Sequence, residues 1–147
     1  MALFLDRPQV TANASLYFPD PTIPFTRLYE PKNRSLSMSP PDRTSLVAEI
    51  PCQSGDRMWD RPDSELIDAV RRPLVRLRLV EEADIQDAVV VRLPSVYPVL
   101  EESSTRKRQT LLSSLDRFSN LSVTGRNGLF LYTHIHDQLK RGKAIIE

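Results

Sequence analysis

The sequence predicts an α+β fold, an antiparallel sheet with two or three flanking helices. Three observations carry this. The first fifty residues hold short apolar or aromatic runs broken by prolines. Beyond residue 60 the apolar residues recur at three- and four-residue spacing, the period of a helix packed on one face. A chain of 147 residues is also long enough for one compact domain, burying about 70% of the surface its unfolded chain exposes.

Residues 1–52 are assigned to antiparallel strands. Ala2 to Leu5 and Ser15 to Phe18 are short strands separated by the polar stretch Asp6 to Asn13. Pro19, Pro21 and Pro24 exclude a central strand there, because proline donates no ladder hydrogen bond. Thr26 to Glu30 alternates as a half-buried strand does, Pro31 to Asp42 is an exposed loop, and Thr44 to Ile50 is a strand stopped at Pro51. Three or four strands satisfy this segment.

Residues 53–100 hold a helix and a return strand. Leu66, Ile67, Val70, Leu74 and Leu77 mark the helix, with Asp63 or Ser64 placed to cap it. Pro73 lies inside the pattern and predicts a kink or break. Ala88 to Leu93 is the return strand. Residues 101–147 begin with an amphipathic helix, Thr105 to Phe118, whose expected buried face carries Leu111, Leu112, Leu115 and Phe118. A short strand, Leu121 to Thr124, then enters a turn, and a last helix spans His134 to Ile146.

Composition excludes several classes. Twenty Lys+Arg against nineteen Asp+Glu leave no generic polyanion-binding surface, so no nucleic-acid partner is expected. One cysteine, Cys52, permits no internal disulfide or Cys-rich metal site, and it has no activating neighbours. The four glycines match neither the dinucleotide fingerprint nor a P-loop. The start lacks a basic leader and cleavage site, and no run approaches the ~18–20 apolar residues of a membrane span. A cytoplasmic protein is expected. His134 and His136 share a face only on a strand and lack a third ligand, so no metal is expected.

The informative segment is strand, Gly125-Arg126-Asn127-Gly128, then helix. A glycine-bounded turn entering a helix lets backbone N–H groups approach an anion or an electron-rich ring edge. Arg126 adds a planar, fixed charge suited to phosphate.

Several stretches in order resemble the C-terminal part of the FAD-dependent amine-oxidase-like flavoproteins, a group that includes protoporphyrinogen-oxidase-like and UDP-galactopyranose-mutase-like proteins. Leu3 to Pro8 and Leu16 to Pro21 resemble its substrate-domain strands, and Ile23 to Asn33 the segment after them. Thr44 to Cys52 resembles the next strand, Tyr97-Pro98-Val99 the return toward the flavin, and Asn120 to Phe130 the terminal flavin-contacting strand and turn.

The resemblance implies a single, partial domain over 1–147 with a substrate-domain-type sheet and a strand–turn–helix that closes over FAD. It implies that Gly125, Arg126, Gly128, His136 and Asp137 contact FAD, and that Arg27, Tyr29 and Tyr97 line a pocket for a small-molecule substrate. The implied activity is hydride transfer to flavin, with a mutase-type isomerase or a non-catalytic interaction module as alternatives. No general base is assigned. The chain departs from the group in four places: the N-terminal Rossmann unit is absent, Pro73 stands at an ordinary helix position, Arg78 replaces a turn glycine, and His136-Asp137 replaces an acidic-then-polar pair. Weak or absent FAD retention by this chain alone is therefore expected, with an upstream FAD-binding segment or self-association as the completing partner.

Overall fold

Period-two burial sets the sheet. In β1 (Ala2–Leu5), Leu3 and Leu5 are buried while Phe4 between them faces out. In β4 (Thr44–Glu49), Thr44, Leu46 and Ala48 point inward. The protein is described by a computed structural model covering residues 1–146. Its remaining elements are β2 (Leu16–Tyr17), β3 (Arg27–Tyr29), α1 (Asp63–Arg76), β5 (Ile85–Val89), α2 (Ser104–Leu115) and α3 (Ile135–Ile146). The strands form one sheet in the order β2-β3-β4-β1-β5, every neighbouring pair antiparallel. The α+β class expected from the sequence is the one observed.

Leu3 pairs with Leu46 across β1 and β4, so both side chains enter one core. Val70 and Leu74 of α1 join them there, with Phe25, Leu28 and Val80. Each fully buried side chain of this size contributes roughly 1.5–3 kcal/mol.

Four expectations need correction. The return strand lies at Ile85–Val89, not at 88–93, because its partner β1 is four residues long and the pairing runs out at Ala2 against Val89. Pro73 does not end α1. It stands in the last turn with its ring buried in the core, where only one carbonyl partner is lost. Neither Asp63 nor Ser64 caps α1. Pro62 holds the cap position, and Asp63 lies in the first turn, where its charge suits the helix dipole and receives Arg92 Nη1 at 2.6 Å. Leu121–Thr124 forms no strand, since no other strand pairs with it.

The turn that closes α1 places Leu77 at the cap and then Arg78, which has φ of 57°. Arg78 N–H donates to Val75 O at 2.9 Å and Leu79 N–H to Leu74 O at 3.0 Å. This is the Schellman arrangement, and its left-handed position is normally taken by glycine.

The chain divides into two compact units, Met1–Arg92 and the residues from Leu93 onward. The first contains the sheet, α1 and all the buried core. The second contains α2 and α3, and none of its described residues is fully buried. Of the four residues expected on a buried face of α2, Leu111 and Phe118 are 67% and 43% exposed, while Leu112 and Leu115 are half-buried.

Candidate functional site

The turn after Thr124 is built from its glycines. Gly125 has φ of 82°, a conformation that favours a residue without Cβ. A Cβ on Gly128 would lie 2.4 Å from the Thr124 carbonyl oxygen, so that position admits no side chain without a backbone shift. Leu129 N–H donates to Gly125 O at 3.1 Å, and Leu131 N–H to Arg126 O at 3.0 Å, closing the loop around Arg126.

Arg126 is held by aromatic faces. Its guanidinium carbon lies 4.6 Å from the Tyr97 ring centre and 4.5 Å from that of Tyr132. The two rings stack on each other at 5.5 Å and 27°. Cation–π contacts of this kind are worth ~0.5–2 kcal/mol each, more as water is excluded. They leave the donors unused. Arg126 Nε and Nη2 are both buried with no hydrogen-bond partner. Buried donors without acceptors are costly, roughly 1–3 kcal/mol each, and an incoming oxygen would remove that cost.

The aromatic array continues from Tyr132 to His134 at 6.5 Å and from His134 to His136 at 5.8 Å. Asp137 turns back on the start of α3. Its Oδ2 accepts the His134 N–H at 3.1 Å, half of a capping box. That backbone hydrogen bond is the main reason the Asp137 carboxyl lies below its ordinary pKa, with His136 and His134 adding to it. His136 Nε2 stands 3.6 Å from Asp137 Oδ1 and its side chain is exposed.

The sequence-predicted residues thus fall into two groups. Tyr97, Gly125, Arg126, Gly128, His136 and Asp137 lie in the second unit, where the structure joins Tyr97 to Arg126 and His136 to Asp137. Arg27 and Tyr29 lie together on β3 in the first unit. Arg27 is paired with Glu49 directly across the sheet, and its guanidinium carbon lies 5.3 Å from the Tyr29 ring. Arg34 approaches the same ring at 5.2 Å. Sequence reasoning missed Tyr132, since no motif links it to Arg126. Only the closed 125–131 loop brings Tyr132 back against Arg126.

Two open depressions lie at the start of α2, one lined by Glu101, Glu102, Ser103 and Arg106 and the other by Arg106, Lys107, Thr110 and Leu111. Among the described residues no group of three or more His, Cys, Asp or Glu is placed to hold a metal ion, and no helix is long and apolar enough to cross a membrane.

This architecture has a counterpart among solved structures. The fold is similar to part of a UDP-galactopyranose mutase. The likeness to the reduced form of that mutase has a TM-score of 0.75 at 21% identity. It covers 89% of this chain and 28% of the mutase, so the chain spans little more than a quarter of that protein's length. No protein-family model and no curated protein matches the sequence.

Proposed function

We propose that this chain is the substrate-domain and cofactor-closing portion of an FAD-dependent oxidoreductase of the amine-oxidase-like kind. The observation that carries the proposal is Arg126, held between Tyr97 and Tyr132 with two buried N–H donors and no acceptor. A phosphate, ribityl or ring-carbonyl oxygen of FAD is an acceptor of the needed kind, and Gly125 and Gly128 leave the turn free of side chains beside it. The residues present fit the group.

FAD, when bound, supplies the hydride chemistry. The protein's part is binding and electrostatics. Arg126 would hold an oxygen of the cofactor through its free Nε–H and Nη2–H, and its fixed positive charge would favour negative charge on that oxygen. The tyrosines keep the guanidinium in place. On β3, Arg27 and Tyr29 offer a charged fork and an aromatic edge to a small-molecule substrate.

The likeness to UDP-galactopyranose mutase favours a second reading, an isomerase portion of mutase type. Both readings require the same flavin contact. FAD affinity, followed by flavin fluorescence, tests that contact in Arg126→Ala, His134→Ala and His136→Ala. Arg126→Ala is expected to bind FAD about ten- to a hundredfold more weakly, with small effects in the histidine variants. Unchanged FAD affinity in Arg126→Ala, or a loss confined to a histidine variant, refutes the proposal.

A further inference from the structure

The C-terminal end of α1 and the turn after it carry three exposed arginines that, among the described residues, make no hydrogen bond or ion pair. Arg72 and Arg76 are exposed and one helical turn apart, on a face away from the buried Leu66, Val70 and Leu74. Arg78 follows, exposed, in the left-handed position that closes the helix. Between Arg76 and Arg78 the Leu77 side chain is 44% exposed. The neighbouring carboxylates are committed elsewhere. Asp68 and Glu82 pair with Arg71, Glu65 with Arg61, and Asp84 with Arg7. Asp20 feels the charge of Arg76 but its Oδ1 accepts from Thr22 N–H and Oγ1, both at 2.8 Å.

The backbone adds a second, independent observation. At Arg78 the Schellman turn favours glycine, and the side chain returns no hydrogen bond or ion pair to the fold. A strained residue that gives nothing to the folded state points outward for its use. We propose that Arg72, Arg76 and Arg78 form a docking site for an acidic peptide segment of a partner protein, with the half-exposed Leu77 between Arg76 and Arg78 in the chain as an apolar contact. Charge complementarity selects the occupant. Along the chain the three arginines are flanked by Glu65 and Asp68 on α1 and by Glu81 and Glu82 after it, so the basic stretch is short. It suits a short acidic segment rather than a nucleic-acid backbone, which needs a long basic track. The site is separate from the Arg126 turn and does not rest on flavin binding.

The test is binding of a fluorescein-labelled oligoglutamate peptide with a central leucine, by fluorescence anisotropy at low salt. Wild-type protein is expected to bind it, with affinity falling as salt rises. Arg78→Gly is expected to bind about threefold to fivefold more weakly while its melting temperature rises, and Arg78→Lys to retain binding. Arg72→Gln combined with Arg76→Gln is expected to lose tenfold or more, to about the level of a glutamine-for-glutamate control peptide. Equal binding by wild type and Arg78→Gly, equal binding of the control peptide, or tighter binding of a short RNA overturns the proposal.

Discussion

Arg78 sits in a conformation that costs an L-residue with a Cβ about 1 kcal/mol relative to glycine. Arg78→Gly is therefore expected to stabilise the first unit by about that amount, read as a higher denaturant midpoint at unchanged slope. This strain was legible through the family resemblance, which places Arg78 where a turn glycine is expected. Glu30 was not. It is fully buried, and its carboxylate accepts from Val10 N–H at 3.1 Å, Thr11 N–H at 3.0 Å and Thr44 Oγ1 at 2.5 Å. Alternation along Thr26–Glu30 puts Glu30 on the same inward face as Leu28, but its polar type disguises it until the free amides of the 10–11 loop are seen beside it. Glu30→Gln places an amide NH2 against those donors and is expected to cost about 3 kcal/mol in chemical denaturation, more than any exposed Glu→Gln change.

At the scale of elements, the strands and helices with a partner were legible and those without were displaced or lost. Thr44–Glu49 and Ala2–Leu5 pair with each other and fall where their alternation places them. The return strand moved toward residue 85 because the length of β1, not its own apolar run, limits pairing. Leu121–Thr124 has strand composition but no neighbour. The start of α3 depends on one ionised group. The Asp137 pKa is lowered by the His134 N–H, so its stabilising contribution is complete above the ordinary carboxylate pKa and is lost as pH falls through the lowered folded value. Fraying of α3 at acid pH, followed by the His134 and His136 backbone resonances, is the expected outcome, and Asp137→Asn should shift that transition or abolish it. Half of the candidate site was legible at this scale. The glycine turn and Arg126 were visible in sequence, whereas Tyr132 becomes a partner only once the loop closes.

The whole molecule is two units of unequal cohesion. Among the described residues every fully buried one lies in Met1–Arg92, while the second unit keeps Leu111, Ile135, Leu139 and Ile146 at 67%, 80%, 71% and 89% exposure. Amide hydrogen exchange should follow that division, with strong protection at Leu3, Leu28 and Leu46 and rapid exchange through α2 and α3. Equal protection in both units would contradict it. The account's central claim is narrower, that Arg126 keeps two buried donors for an oxygen of FAD. The Arg126 Nε–H resonance reports this directly. On titration of roughly millimolar FAD into 15N-labelled protein, that resonance and the Gly125 and Gly128 amides should shift together and saturate together. An Arg126 Nε–H signal unmoved by FAD, or shifts confined to residues outside the 125–132 loop, would contradict the account.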